Sequence, residues 1–149
     1  MKQFSLQRKC RLVCDGSKVD ASDVPTYASV VSRESVRIAF TIAALNGLSV
    51  LAADCEGAYL NAKPREKMHT KCGPEFGSMH CGRWAIIVRA LYGAPGSAAS
   101  WRFCINKVIE GMGLKMCRAD NDVWFRPAQN AEGMDVFMSI FSCILMICL

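Results

Sequence analysis

Apolar residues recur with the period of an α-helix between Ser32 and Gly47. Two sets of apolar residues repeat at intervals of three or four positions, which predicts a helix with buried apolar positions. Ser32 is a favoured N-cap residue, and Glu34 lies in the first turn, where the helix dipole stabilises an anion. Asn46 and Gly47 tolerate the left-handed geometry that ends a helix. The two sets are Val36, Ala39, Ala43 and Ile38, Ile42, Leu45.

A second helical repeat follows the Gly/Pro/Ser turn "YGAPGSAAS". Trp101, Ile105, Val108 and Met112 share one helical face, and Gly113 ends the helix.

Other segments have the apolar character of β-strands. "CRLVC" alternates like a strand and is followed by the turn signal Asp15-Gly16. "LSVLAAD" predicts a buried strand that ends at a carboxylate, and "WAIIVRAL" predicts another. A third lies around residues 123–125 and is closed by Pro127. Because strands and helices are mixed with short connections, the pattern predicts an α+β fold.

The composition indicates a folded domain with a mild basic excess. The chain has 149 residues, of which 52% are hydrophobic and 21% charged. This is the size of one domain, or of a fragment of a larger one, and it argues against extensive disorder. The formal charge of +5 suits a polyanionic partner. Four basic residues form an N-terminal arm with no acidic residue before Asp15: Lys2, Arg8, Lys9 and Arg11.

The nine cysteines are scattered along the chain and odd in number. The basic N-terminal stretch lacks the apolar core of a signal peptide. We therefore expect reduced thiols in an intracellular protein, cytoplasmic or nuclear and not secreted. His69, Cys72, His80 and Cys81 match no paired zinc-ligand spacing, so no zinc site is predicted.

The stretch "AADCEGAYLNA", residues 52–62, contains the candidate chemistry. Asp54 stands at the end of an apolar strand, where an aspartate commonly serves as a turn or cap residue. Tyr59 follows five residues later and by local pattern alone is a core aromatic.

The order of five motifs gives these two residues a further meaning. The chain contains "KCRLV", "TYASVVSRESVRIAFTIAALNG", "AADCEGAYLNA", "VRALYGAPGSAASW" and "ADNDVWFRP" in that order. They resemble the K-A-R-L-V strand, the F/Y-(A/S)-P/S-V-V segment, D-x-x-x-A-(F/Y)-L, L-Y-G-L-K-x-A and A-D-x-x-(L/V)-(W/F) of copia-type retrotransposon reverse transcriptases. The resemblance runs from about Lys9 to about Pro127, at close to the family's spacing.

This resemblance implies the fingers and palm of a right-hand polymerase, in which a small antiparallel sheet is backed by helices. It implies RNA-directed DNA polymerase (nucleotidyltransferase) activity on an RNA or DNA primer-template with dNTPs, and it points to no specific protein partner. Asp54 matches the first catalytic carboxylate, a ligand of Mg²⁺. Tyr59 matches the aromatic residue that packs under the incoming sugar, and Lys9 and Arg11 fall on the fingers strand that faces the triphosphate.

The family's Y-x-D-D motif, which supplies the other two carboxylates, is absent from this chain. "FSCILMICL" stands in its place, and the only acidic residues after Phe125 are Glu132 and Asp135, which are not adjacent. Two metal ions about 4 Å apart need more than one carboxylate, so we predict a catalytically inactive chain. We also expect the hairpin of that motif to be missing and its neighbouring sheet edge to be uncovered.

Two smaller features bear on the same site. Glu56 would share a face with Asp54 if the strand continued, although it lies on the wrong element to replace a hairpin pair. Pro95 and Gly96 stand where the family has a lysine and a polar residue, so we expect weakened binding of template and nucleotide.

The chain divides into a partial fingers and palm at residues 1–133 and an apolar tail at residues 134–149. The apolar residues 136–149 are fewer than the roughly 20 of a membrane span, so a membrane anchor is the weaker interpretation. We hypothesise instead that the tail is a frameshifted reading of the lost motif. Read from the third base of each codon, Met146 gives Asp, Leu145 gives Asp when its codon ends in G, and Cys143 gives Tyr or His.

Three functions therefore follow from the sequence. The first is a remnant of a retrotransposon reverse transcriptase, a transposable-element fragment without activity. The second is a residual nucleic-acid-binding module that uses the basic arm. The third is a small membrane-associated protein anchored by the tail.

Overall fold

The computed structural model describes residues 10–19, 23–129, 135–141 and 145–148, with side chains described as far as residue 126. Within these ranges the chain forms two α-helices and seven β-strands. The helices are α1 (Arg33–Leu45) and α2 (Ser97–Gly111). The strands are β1 (Ser49–Ala52), β2 (Met68–Lys71), β3 (Trp84–Ile87), β4 (Lys115–Met116), β5 (Val123–Gln129), β6 (Asp135–Phe141) and β7 (Leu145–Cys148).

Helix α1 begins and ends where the sequence predicts. The Ser32 hydroxyl accepts a hydrogen bond from the Ser35 amide at 3.1 Å, which satisfies one of the unpaired donors of the first turn. Gly47 follows the helix with a φ of 64°, in the left-handed region. Ala39 and Ala43 are buried, whereas the second apolar set is exposed, with Leu45 at 80%. Only one of the two predicted apolar sets therefore faces the core.

Helix α2 also agrees with its predicted position. It ends at Gly111, and Gly113 takes a φ of 80° two residues later. The amide of Met112 donates to the carbonyls of Val108 and Ile109 at 3.1 Å each, which closes the last turn. No side chain caps the first residue of the helix, where Gly96 is the N-cap.

The predicted strands are only partly confirmed. "LSVLAAD" contains β1, "WAIIVRAL" contains β3, and the strand around residues 123–125 is β5. The prediction that the first of these strands is buried is wrong, because all four residues of β1 are exposed. β5 also continues past its predicted end at Pro127 to Gln129. The strand predicted at "CRLVC" is wrong for residues 10–14, where the backbone makes one isolated parallel bridge, from Val13 to Tyr92. Leu12 and Val13 are both 57% exposed, so the alternation of this segment does not bury one face.

Five strands form one antiparallel sheet in the order β1-β7-β6-β5-β4. The register pairs Ala52 with Leu145, and Val123 with Phe141. β2 and β3 form a separate antiparallel hairpin, which pairs Met68 with Ile87 and Lys71 with Trp84.

The two helices cover opposite faces of β5. Val123 packs against Ala39 and Ala43 of α1. The next residue, Trp124, is 1% exposed and packs with Ile109 of α2. Because consecutive side chains of a strand point to opposite faces of the sheet, α1 and α2 lie on opposite sides of it. This is an α+β architecture with two small antiparallel sheets.

The apolar tail is part of the main sheet, which corrects the expectation that the hairpin would be missing. β6 pairs with β5 from Val123↔Phe141 to Gln129↔Asp135, and β7 pairs with both β6 and β1. β1 is thus covered by β7 and is not left as an open edge on that side. The tail contains Val136, Ile140 and Ile147, β-branched residues of a type enriched in strands, so it forms strands without the family's acidic motif. The predicted boundary at 133/134 lies outside the described residues.

No helix in the described part of the chain is long and apolar enough to cross a membrane.

Candidate active site

One end of the five-stranded sheet gathers the acidic residues singled out by the motifs. Asp54 lies two residues beyond the end of β1, and Ala52 at that end pairs with the first residue of β7. β5 begins at the same end, since Val123 pairs with Phe141, the last residue of β6. The last residue of β6, the first residue of β7 and the turn containing Asp120 and Asp122 therefore lie at the same sheet end as Asp54.

Asp54 is exposed and has no hydrogen bond or ion pair among the described residues. β1 has already ended at Ala52, so Glu56 does not continue the strand and lies in a turn. This corrects the idea that Glu56 shares a strand face with Asp54. Gly57, at a φ of 60°, then leads the chain into the 3₁₀ turn Ala58–Asn61.

Tyr59 on that turn joins an aromatic stack that includes Arg11. The rings of Tyr59 and Tyr92 have centroids 4.5 Å apart and planes tilted by 40°. The guanidinium carbon of Arg11 lies 5.0 Å from the centroid of Tyr92, within cation–π range. The structure thus brings together two predicted nucleotide-binding residues, Arg11 and Tyr59, through a third residue.

Tyr92 was not singled out by the sequence, although it belongs to the quoted "LYG" motif. Its position depends on a close approach of two chain segments: the Cys14 amide donates to the Tyr92 carbonyl at 2.7 Å. Gly93 follows at a φ of 84°, and a Cβ there would lie 2.0 Å from the Cys14 carbonyl oxygen. Only glycine fits at position 93. The glycine of the "LYG" motif is therefore the signal in the sequence that points to the neighbouring Tyr92.

Lys9 and the basic residues before it lie outside the described residues. The turn with the unusual Pro95 and Gly96 leads into α2, and a carboxylate lies beside it: a Cβ on Gly96 would lie 2.5 Å from Glu66 Oε1. An anion near a helix N-terminus is favourable, because the free amides there carry partial positive charge.

Asp122 is buried in a salt bridge. Arg102 of α2 reaches both of its carboxylate oxygens, with Nη2 to Oδ1 at 3.2 Å and Nη1 to Oδ2 at 3.3 Å. The Ser29 hydroxyl also donates to Oδ2. Such a two-pronged contact is strong and directional, so Asp122 ties α2 and the segment before α1 to the turn that precedes β5.

Asp120 anchors the N-terminus of α1. Its Oδ2 accepts from the Ser35 hydroxyl at 2.6 Å and from the Ser32 amide at 3.0 Å, and its Oδ1 accepts from the Asp122 amide at 3.0 Å. Partial burial acts to raise the pKa of Asp120. The hydrogen bonds from Ser35, Ser32 and Asp122 outweigh that effect and lower the pKa from 3.8 to about 2.

Neither of these aspartates can complete a metal site at Asp54. Both are engaged in contacts that hold the fold together. β5 is the third strand over from β1, and strands lie about 4.8 Å apart, so roughly 14 Å separates the two positions across the sheet. Asp135 begins β6 at its far end, six residues from Phe141 and thus about 20 Å from the Asp54 end. Glu132 lies outside the described residues.

A family model for reverse transcriptase (RNA-dependent DNA polymerase) matches residues 1–144 of the chain. The chain therefore belongs to the reverse transcriptase family, as the motif order predicts. No curated protein and no solved structure gives a significant match. Members of this family generally bind a nucleic-acid template and primer with dNTPs and use a divalent metal.

The described residues do not fit the pair of metal ions that the family's chemistry implies. They contain no group of three or more His, Cys, Asp or Glu side chains placed to hold a metal ion. Mg²⁺ prefers several carboxylate, phosphate and water oxygens in octahedral geometry, and no such cluster of side chains surrounds Asp54 among the described residues.

Proposed function

We propose that this chain derives from a copia-type retrotransposon reverse transcriptase, that it forms part of the fingers and palm, and that as it stands it catalyses no nucleotidyl transfer. One observation carries the loss of activity. Among the described residues at this sheet end, Asp54 is the accessible aspartate, because Asp120 and Asp122 are engaged in other contacts. The cytoplasm or the nucleus is the expected compartment.

The residue roles in this proposal follow the family motifs. Asp54 is the remaining metal-binding carboxylate. Tyr59, half-buried against Tyr92, is the platform under the incoming sugar, and Arg11 and Lys9 face the triphosphate. The stack of Arg11, Tyr92 and Tyr59 supports this assignment, because it holds a cation and an aromatic ring along one short surface.

Two metal ions normally stabilise the attacking and leaving oxygens of an in-line phosphoryl displacement. A single carboxylate can neither neutralise that charge nor fix the spacing of two ions. The purified chain should therefore extend no primer on RNA or DNA template with Mg²⁺ or Mn²⁺. Template-dependent incorporation that disappears in Asp54→Ala would refute the proposed inactivity.

A second candidate function, residual nucleic-acid binding without catalysis, is favoured by the basic arm. If Lys2, Arg8, Lys9 and Arg11 neutralise four phosphates, log K should fall against log salt with a slope of about −3 to −4. Fluorescence anisotropy with a labelled oligonucleotide at several salt concentrations measures this slope. A sequence-specific interaction that ignores salt would exclude the electrostatic mode.

A further inference from the structure

The β2–β3 hairpin presents an outer face that pairs basic with apolar side chains. Lys71 lies opposite Trp84, and His69 lies opposite Ile86. One residue beyond the paired segment on each strand, Lys67 and Val88 continue the two rows. One strand therefore carries a row of Lys67, His69 and Lys71, spaced two residues or about 6.6 Å apart, and the other carries a row of apolar residues.

This outer face is open to solvent although half of it is apolar. Trp84 is 69% exposed, Ile86 76% and Val88 69%. The opposite face of the same hairpin meets the protein through Met68, which is only 8% exposed. The imidazole of His69 stands edge-on to the indole of Trp84 with ring centroids 5.1 Å apart, which leaves the indole supported on one side and exposed over most of its surface.

The two strands of the hairpin and the residues that flank them carry only positive charge. Residues 67–71 and 83–89 contain no acidic residue, and they include four permanent cations, Lys67, Lys71, Arg83 and Arg89. A cleft of about 450 Å³ runs beside β2, between the strand and residues 12–19, and Lys18, Lys67 and Lys71 are among its lining residues. Its acidic lining residues are Asp15, which pairs with Lys18 at 3.3 Å, and Glu75.

We propose that the outer face of the β2–β3 hairpin binds single-stranded nucleic acid, with bases stacked on Trp84 and phosphates held by Lys67 and Lys71. The residues of this surface are different from those assigned above to the Asp54 region and to the basic arm. The inference deepens the proposed nucleic-acid binding and rests on it. Cations beside an exposed aromatic side chain are the arrangement with which proteins hold a single strand without reading its sequence.

Charge argues against a second copy of this chain as the occupant. Two such faces brought together would oppose the same cations to each other, and like charges across an interface are costly. A polyanion removes that repulsion and releases counterions on binding. The apolar row then contacts the faces of the bases, which every base offers regardless of sequence.

Tryptophan fluorescence tests the proposal on the full chain. Trp84 is the exposed tryptophan, whereas Trp124 is buried and Trp101 half-buried, so stacking on Trp84 should change the emission that reports solvent contact. Titration with short oligothymidylate or oligouridylate at low salt should quench this emission. Trp84→Phe should abolish the quenching, and Trp84→Ala should weaken binding about tenfold in a fluorescence-anisotropy assay.

The charge row has its own matched control. Lys67→Gln with Lys71→Gln should reduce the slope of log K against log salt by about 1.4, the value for two phosphate contacts on a single strand. Lys115→Gln removes an exposed charge from β4, away from the hairpin, and should leave the affinity close to that of the unchanged chain. Far-UV circular dichroism of each variant separates lost binding from lost folding.

The results for these variants distinguish binding by the hairpin surface from binding by the basic arm. If the Trp84 and Lys67/Lys71 variants bind like the parent chain while Lys9→Gln with Arg11→Gln loses binding, the hairpin surface is refuted and the basic arm stands. If no variant and no parent chain binds at low salt, both fail. If sedimentation shows a dimer that Trp84→Ala dissociates while oligonucleotide binding is unchanged, the face is an interface between copies and the proposal is overturned.

Discussion

Asp54 and Asp122 lie at the same end of one sheet and have opposite surroundings. Asp122 is 1% exposed and holds Arg102 through both carboxylate oxygens, with a further hydrogen bond from Ser29. Asp54 is exposed and makes no such contact among the described residues. Asp122 holds α2 and the segment before α1 to the sheet, whereas the carboxylate of Asp54 remains accessible to solvent.

The difference shows how a carboxylate is assigned to structure or to chemistry. A buried charge must be paired, and once it is paired its oxygens are no longer available to a ligand. A carboxylate that serves as a metal ligand must keep its oxygens accessible, and its stabilisation then comes from the metal and not from the protein. By this criterion Asp120 and Asp122 are framework residues, whereas Asp54 keeps the accessibility that its proposed role as a metal ligand requires.

The largest effect is expected from removing the buried carboxylate. Asp122→Ala leaves the guanidinium of Arg102, 21% exposed, without its partner, and should lower the free energy of unfolding by about 3 kcal/mol. Urea denaturation followed by circular dichroism measures this loss. Adding Arg102→Met should restore part of it, because the second change removes the unpaired charge.

The control for this prediction is Asp54→Ala, which should change the free energy of unfolding by less than about 0.5 kcal/mol. Equal losses in the two variants would contradict the division into framework carboxylates and accessible carboxylates.

A smaller and pH-dependent effect is expected at Asp120. Asp120→Asn should cost about 1 kcal/mol at neutral pH, because the carboxylate accepts from the Ser32 amide and the Ser35 hydroxyl at the start of α1. The pKa of Asp120 in the folded chain is about 2, below its ordinary value of 3.8. The ionised form therefore adds stability above about pH 4, and this contribution is lost as the pH falls towards 2.

Unfolding curves at pH 7, 4 and 2 measure this dependence as the difference between Asp120→Asn and the parent chain. The difference should be constant between pH 7 and about 5 and should shrink towards pH 2. A difference that grows on acidification would show that the carboxylate is not held ionised by these hydrogen bonds.

The smallest expected effect is a gain of metal-dependent stability at Asp54. If this carboxylate is the remaining part of a metal site, placing acids on the neighbouring strand should restore metal binding. Leu145→Asp with Met146→Asp puts two carboxylates at the start of β7, where residue 145 pairs with Ala52. Mn²⁺ at a concentration equal to its Kd should then stabilise the variant by about 0.4 kcal/mol, measured as a shift in melting temperature.

A matched pair of acids farther from Asp54 gives the control. Ile147→Asp with Cys148→Asp lies opposite Ser49 and Val50, at the other end of the β1–β7 pairing, and should show no metal-dependent shift. Removing Asp54 from the Leu145/Met146 variant should abolish the gain. A shift that survives Asp54→Ala would place the metal elsewhere.

The local sequence pattern was sufficient to predict the elements whose ends are set by residues close to them in the chain. Capping and periodicity act over a few residues, so they predicted the ends of the helices and the positions of three strands. These are the N-cap Ser32, the glycines Gly47 and Gly113 that follow the helices, and the central residues of β1, β3 and β5. The motif order predicted the family, and the apolar run before Asp54 placed this residue just after a strand. The absence of an adjacent acidic pair after Phe125 is likewise a property of the sequence alone.

Contacts between residues far apart in the chain were decided only by the tertiary structure. The pattern of the tail did not reveal that β7 pairs with β1, about a hundred residues earlier, because the partner of a strand is set by the whole sheet and not by its own periodicity. The same reason hid the role of Tyr92 between Arg11 and Tyr59, and the pairing of Asp122 with Arg102. The sequence supplied the aspartates that metal chemistry needs. The packing of α1 and α2 on opposite faces of the sheet determined that Asp120 and Asp122 are engaged in the framework and that Asp54 stays open to solvent.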